Sequence, residues 1–267
     1  MVVPDALAIP WRHRRLVARL ARRDIAARYR GSIFGPLWAL ALPLAMLGIY
    51  NFAFGRIFGG RFGESATGDA PFALVLFAGL LLFQIFGDIV QSSPSLIRNN
   101  ATYIKQIIFP LEILPVVAVV VALFNAAVSF AMLLVFYAVL IEAPPISALW
   151  IGVIALPLIF LAIGAGWLLS SIGAYFRDLT QVAGLVCTAT LFLTPIFYPL
   201  EAVPASLRTV IGLNPIATVV EQARSVLFRS EPPDFMALAL CLLGSLVVYF
   251  AGFAVFQRLR PHFADLV

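Results

Sequence analysis

Six long apolar stretches, 35–58, 71–89, 113–141, 146–175, 182–199 and 235–257, dominate this sequence and leave it few ways to fold. A helix crossing a bilayer needs about 20 mainly apolar residues, and each stretch reaches or approaches that length. The fifth is the shortest and ends in Pro195 and Pro199, which predicts a broken or kinked outer end. Strand-type alternation at barrel length is absent, and helices satisfy their own backbone groups in lipid, so a helical bundle is expected. The composition agrees. At 62% hydrophobic and 12% charged over 267 residues, against about 45–50% and about 25% in soluble domains, the chain cannot hide its apolar surface in one core. Disorder, a coiled coil and a secreted disulfide scaffold are excluded with it. Cys187 and Cys241 lie inside apolar runs and read as small buried residues, neither a disulfide nor metal ligands.

Basic residues orient the bundle. With six spans, both termini share one side, and 13 of the 18 Lys and Arg fall there, eight of them between Arg12 and Arg30. The net charge is +7 on that side and −2 on the other, which places both termini in the cytoplasm. The apolar stretch after Arg30 runs longer than a signal-peptide core and carries no small-residue cleavage site, so the first span is expected to stay in the mature protein. Arg12, Arg15, Arg19 and Arg22 recur at helical spacing, with Leu16, Val17 and Leu20 on another face. That pattern predicts an amphipathic helix in the cytoplasmic interface, bound to anionic headgroups, or a plain positive-inside anchor. A nucleic-acid partner is not expected for a basic stripe joined directly to a span.

Outside the membrane, residues 200–234 are punctuated by Pro204, Pro215, Pro232 and Pro233. Between them sit two apolar-rich segments, 205–213 and 217–228, each too short to cross a bilayer. They predict a re-entrant or interfacial helical hairpin with Glu221 and Arg224 three apart on its wetter face, either a lid or an outer gate.

The spans hold almost no ionisable residues at depth, which disfavours coupling to an ion gradient. Gln84 and Asn125 are the main strongly polar side chains deeper in, and such residues more often join helices than bind substrate. The only lysine, Lys105, follows no glycine loop, so the chain lacks a G-x-x-x-x-G-K-[ST] phosphate site. His13 and His262 lie at opposite ends of the chain, and Asp88, Glu112 and Asp178 are scattered, so catalysis within the chain is not expected. Any uphill work requires energy from another polypeptide.

Several ordered segments resemble one family. Residues 23–32, Arg-Asp-Ile-Ala-Ala-Arg-Tyr-Arg-Gly-Ser, lead into Gly35-Pro36-Leu37-Trp38 and Pro43-Leu44. This is similar to the entry to the first span in ATP-binding-cassette export permeases for O-antigen, capsule and wall teichoic acid. Ile107-Ile108-Phe109-Pro110-Leu111-Glu112-Ile113-Leu114-Pro115 resembles the family's approach to its third span, and Tyr175-Phe176-Arg177-Asp178 its turn after the fourth. Leu193-Thr194-Pro195-Ile196-Phe197-Tyr198-Pro199, then Val203-Pro204 and Leu213-Asn214-Pro215, resemble its fifth span and outer hairpin, where Glu221 and Arg224 also fit. Each piece is weak by itself; the ordered set, covering nearly the whole chain, is specific.

The resemblance implies an all-α membrane protein of six transmembrane helices, with an N-terminal amphipathic interfacial helix and an outer re-entrant hairpin between helices 5 and 6. Residues 1–34 would form the cytoplasmic N-terminal region, 35–257 the transmembrane export domain and 258–267 a cytoplasmic tail. The implied assembly is a homodimer in the bacterial inner membrane, driven by two copies of a cytoplasmic ATPase that binds ATP and Mg; this chain itself carries no cofactor. Its cargo would be lipid-linked or lipid-capped polysaccharide, O-antigen or capsule, and a periplasmic export partner is left open. A drug or lipid exporter permease is the alternative within the superfamily, and a non-transporting scaffold or enzyme subunit the alternative outside it.

For ATPase coupling, the resemblance points to a short helix at 88–101, with Gln91, Ser92, Pro94, Leu96, Ile97 and Arg98, and to the turn Phe176, Arg177 and Asp178. Arg23, Asp24, Arg28, Tyr29 and Arg30 would belong to the interface helix and cytoplasmic gate. Tyr50 and Phe54, one helical turn apart, and Phe192, Phe197 and Tyr198 offer aromatic faces along which a sugar chain could slide, unless they only pack or face lipid.

Overall fold

The computed structural model describes residues 2–29, 38–50, 52–53, 71–104, 109–200 and 203–265, and these are helical throughout, with no strand among them. Eleven α-helices follow in order: α1 Val2–Arg12, α2 Arg14–Tyr29, α3 Trp38–Tyr50, α4 Phe72–Asn99, α5 Ala101–Ile104, α6 Ile113–Leu140, α7 Ile151–Tyr175, α8 Leu179–Leu193, α9 Ala205–Gly212, α10 Pro215–Phe228 and α11 Phe235–Leu259. A 3₁₀ turn, Ile146–Trp150, leads into α7, and another, Arg260–Asp265, follows α11.

Among the described residues four segments are long and apolar enough to cross a membrane: Phe72–Asn99, Ile113–Leu140, Ile146–Tyr175 and Phe235–Phe263. These correspond to the second, third, fourth and sixth expected spans. The expected first span, 35–58, lies partly outside the described residues; α3 covers its central part. The fifth appears as α8, only 15 residues long, about 22 Å at 1.5 Å per residue. It stops at Thr194 because the next residue is Pro195, which disfavours a helical residue before it.

Helix α4 is the axis of the subunit. Its apolar window is 78% buried, against 17% for Ile113–Leu140 and 28% for Phe235–Phe263, so the latter two turn most of their surface outward. Val135, Val139, Leu240, Leu243 and Val247 are all exposed, as expected for side chains whose solvent is lipid. Helices α7 and α11 meet closely through glycine. A Cβ at Gly164 would lie 2.6 Å from both Cα and N of Tyr249, and one at Gly252 would run into Gly164. Small residues at such a crossing let two backbones approach and gain dispersion contact where lipid offers no hydrophobic drive.

Two cores stack along the axis. One joins α4, α7, α8, α10 and the start of α11, around Leu74, Phe77, Leu158, Ile216 and Val220. The other gathers α1, α2, the Asn99 end of α4, the start of α6 and the ends of α7 and α11 around the fully buried Trp167. Trp167 meets Tyr249 and Phe253 edge-on, each at 4.9 Å, and its indole N–H donates to the Glu112 carbonyl at 2.8 Å.

The amphipathic reading of the N-terminus holds in its inward face: Val17, Leu20 and Ala21 are buried while Arg15, Arg19 and Arg22 are exposed. A separate helix, α1, precedes it, anchored by the Tyr249 hydroxyl donating to the Ala6 carbonyl at 2.8 Å. The segment 88–101 requires a correction. It is no separate short helix: 88–99 continues α4 without a break, carrying Pro94 inside it, and only Ala101–Ile104 forms a turn of its own.

Candidate functional site: a polar cavity, a cluster at the end of α4 and a pinned helix

Between α3, α4 and α6 lies a cavity of about 420 Å³. Its apolar walls are Phe77, Leu81, Ile85 and Ala122, and its polar lining is Gln84 and Asp88 of α4 and Asn125 and Ser129 of α6, together with Tyr50 and Trp38 of α3 and Arg28 of α2. The two pairs on α4 and α6 are each four residues apart, so each pair presents one helical face. Because α4 runs on to Asn99, Asp88 sits seventeen residues into a 28-residue helix rather than at its end. The Arg28 charge and the Gln84 amide act on the Asp88 carboxylate. Sequence reading noted Gln84 and Asn125 as helix-joining groups; the repeated i, i+4 polar spacing on two neighbouring spans was the signal that they share a cavity.

At the Asn99 end of α4, the residues expected to couple to an ATPase divide into two sets. Pro94 and Ile97 are buried in their own subunit, Ile97 completely, and Leu96 and Arg98 are half-buried. Arg98 donates to the Gly173 carbonyl, and Gly173 leaves room for the Pro94 backbone, where any Cβ would collide. Gln91 and Ser92 remain exposed, as do Phe176, Arg177 and Asp178 in the turn between α7 and α8. Gln91 donates to the Cys187 sulfur at 3.2 Å, and Ser92 bonds back to the Asp88 carbonyl at 2.6 Å.

Helix α2 is tied to this end. Arg23 pairs with Asp24 at 2.7 Å and donates to the Tyr103 hydroxyl of α5, with the guanidinium 5.7 Å from that ring's centre. The hydrogen bond to Asp24, more than the opposing cost of burial, raises the Arg23 pKa and keeps the group charged. Tyr103 stacks on Phe109 at 4.4 Å, which links the turn to the approach to α6. Arg28 is exposed and belongs to the cavity lining, Tyr29 closes α2, and Arg30 lies outside the described residues. Close by, the Glu112 carboxylate is 3% exposed and accepts from Gln257 at 2.9 Å and from Arg260. Sequence reading had left Glu112 as a scattered acid; nothing in its local spacing announced a partner 145 residues away.

Of the aromatic residues expected along a pathway, Phe192, Phe197 and Tyr198 come together: Phe192 and Phe197 stack at 5.7 Å, and the Tyr198 hydroxyl donates to the Phe192 carbonyl at 2.8 Å. Tyr50 stands apart on the wall of the cavity, and Phe54 lies outside the described residues.

Helix α10 begins on Asn214, whose side chain accepts from the Ile216 N–H at 3.0 Å with Pro215 at the first helical position. Arg224 is not on a wet face: it is 1% exposed and donates to the carbonyls of Pro195 and Ile196 at 2.6 and 2.8 Å. These are the carbonyls freed where α8 breaks. Asn214 donates to the Thr194 hydroxyl at 3.0 Å, so the same helix holds the corner twice. Glu221 lies 3.6 Å from Arg224 and 3.3 Å from Arg229, half-exposed. Among the described residues no group of three or more His, Cys, Asp or Glu converges as a metal site.

A profile of the ABC-2 type transporter family matches residues 15–228, from α2 through α10. The chain is 26% identical to an O-antigen export system permease protein, RfbA, of Klebsiella pneumoniae, over 94% of this chain and 95% of that one. It is equally similar, at 26%, to RfbA of Myxococcus xanthus over 96% and 97% of the two chains. With the polysialic acid transport protein KpsM of Escherichia coli it shares 25% identity over 90% and 92%. A chain of apolar, membrane-length helices that the family profile matches over most of its length, from α2 through α10, belongs to the ABC-2 type transporter membrane family.

Proposed function

We propose that this chain is the membrane subunit of an ABC exporter that moves lipid-linked cell-surface polysaccharide, of the O-antigen or capsule type, across the bacterial inner membrane. The observation that carries it is the end-to-end similarity to permeases named for O-antigen export and polysialic acid transport. The chain has no phosphate-binding loop, so a separate ATPase with its ATP and Mg would supply the energy. Six crossings complete the reading, with the first built around α3 and the fifth formed by α8 and the corner after it; α9 and α10 would then be the re-entrant outer hairpin.

With both termini in the cytoplasm, the Asn99 end of α4 faces the ATPase. The exposed Gln91, Ser92, Phe176, Arg177 and Asp178, together with the α5 turn, offer the contact, while the buried Ile97, Pro94 and Arg98 transmit its movement into α4 and α7. Helix α8 leaves Val182, Leu185 and Phe192 exposed in the single chain, a surface for a second copy across a shared conduit. Arg224 and Glu221 hold the outer hairpin on the α8 corner, so an outer gate would move as hairpin and corner together.

The test is purification in mild detergent with the ATPase encoded beside it, followed by mass determination and ATP hydrolysis with and without lipid-linked glycan. A two-plus-two complex stimulated by glycan is expected, and deleting the chain should abolish surface polysaccharide. A chain that binds no ATPase, or whose loss leaves surface polysaccharide intact, would sink this reading.

A further inference from the structure

We propose that the cavity between α3, α4 and α6 is a subsite, inside one subunit, for a single hydroxyl-rich sugar ring. The proposal rests on the export reading and names where within each subunit the cargo is gripped. At about 420 Å³ the cavity falls within the usual size of small-molecule sites, which run about 300–1,000 Å³ with mostly apolar walls and a few convergent polar groups.

Its chemistry is particular. Asn125 and Ser129 project from an otherwise apolar helix, and neither side chain finds a hydrogen-bond partner among the described residues. Many other small polar residues in the bundle bond back to their own helix, although the buried Ser93 hydroxyl, away from this cavity, also lacks a partner among the described residues. Thr188, Thr190 and Thr194 bond back to Gly184, Val186 and Thr190 at 3.0, 2.8 and 2.7 Å, and Ser170 and Ser171 to Trp167 and Leu168 at 3.2 and 2.9 Å. An amide held at membrane depth without a partner costs free energy unless something in the cavity bonds to it. Among the described residues Asn125 and Gln84 do not bond to one another, so this pair does not join α4 to α6.

The set of Asn125, Gln84, Ser129 and the Asp88 carboxylate supplies both donors and acceptors, as a ring of hydroxyls requires. Tyr50, in the lining, supplies an aromatic ring for the C–H side of the sugar. A bare hydrocarbon tail would leave the polar groups unsatisfied, and a phosphate would meet the Asp88 charge, whose field already engages Arg28, the one cation among the described lining residues. A neutral sugar ring satisfies both constraints.

The experiment labels the full chain carrying Ser129→Cys, and separately Asn125→Cys, with a sulfonated maleimide in inner-membrane vesicles depleted of ATP. The unsubstituted chain gives the background from Cys187 and Cys241. Vesicles come from cells making the glycan and from cells blocked in the first sugar transfer onto the lipid carrier. Labelling is expected in the blocked vesicles and about threefold or more slower in those with glycan, because an occupied site of this kind encloses most of its ligand. Equal rates in both, or reaction only with lipid-soluble N-ethylmaleimide, would overturn the subsite. Export should fall in Asn125→Leu and recover in Asn125→Gln at equal protein levels; full export in Asn125→Leu would also overturn it. Surface glycan persisting after deletion of the whole chain would instead remove the export reading.

Discussion

At Glu112 a carboxylate is almost wholly withdrawn from solvent, with Oε1 held by Gln257 and Arg260 and Oε2 without a partner among the described residues. Such a charge is tolerated only while its cation stays. Arg260→Ala should lower stability by about 2–3 kcal/mol, at the lower end for a broken buried pair because Arg260 itself is partly exposed. Adding Glu112→Gln to that variant should restore much of the loss, since the orphaned charge is gone. Thermal unfolding of the four proteins in one detergent closes the cycle; a double variant less stable than Arg260→Ala alone would mean that the pair is not electrostatic. Arg224 makes the opposite case, a cation whose described main-chain partners are carbonyls. Arg224→Lys cannot reproduce a fork across Pro195 and Ile196, so it should lose about 1–3 kcal/mol and Arg224→Met more, read as protein level in the membrane and as melting temperature. Equal stability of Arg224→Lys and the parent would show that one bond suffices.

Elements were legible in proportion to how far local sequence controls them. An apolar run of 20 residues has little choice but to be a helix in lipid, and α6, α7 and α11 end within a few residues of where the sequence placed them. The second span was expected to end at 89, with a separate short helix at 88–101, yet α4 passes through Gln91-Ser92-Ser93-Pro94-Ser95 as one helix. Ser93, Pro94 and Ile97 are buried against a neighbouring helix that offers Gly173 at the crossing, and that packing outweighs propensity. No local pattern carries that information, because Gly173 lies almost 80 residues away. Glycine position makes a sharper prediction. Gly164→Ala and Gly252→Ala force methyl groups into opposing backbone and should each cost about 1–3 kcal/mol. Gly244→Ala, on the same helix as Gly252 but with nothing within 4 Å of its added carbon, should be neutral or gain about 0.5–1 kcal/mol. Melting of the purified variants checks the contrast; equal losses at Gly244 and Gly252 would mean that the crossing is looser than drawn.

For the whole molecule, the sequence marked the chemistry without its grouping. Asp88, Gln84 and Asn125 were each visible as isolated polar residues, but their cavity depends on the packing of three helices. Charge distribution, by contrast, is read from the sequence alone, and the basic excess around both termini is the ground for the proposed orientation. The structure buries Ile97, two residues before Asn99, in one core with Val17 and Leu20 of α2, while Leu213, 79% exposed, lies between α9 and α10. In a chain without other accessible thiols, Leu213→Cys should therefore react with a membrane-impermeant maleimide in spheroplasts. Asn99→Cys should react there only after permeabilisation, and fully in everted vesicles. Labelling of both positions from one face would break the odd number of crossings, three, that the six-span reading puts between them, and with it the proposed arrangement that turns the buried end of α4 toward an ATPase. Labelling from opposite faces with the polarity reversed would keep the bundle but place the exposed Phe176 turn outside the cell, where no nucleotide-driven partner can reach it.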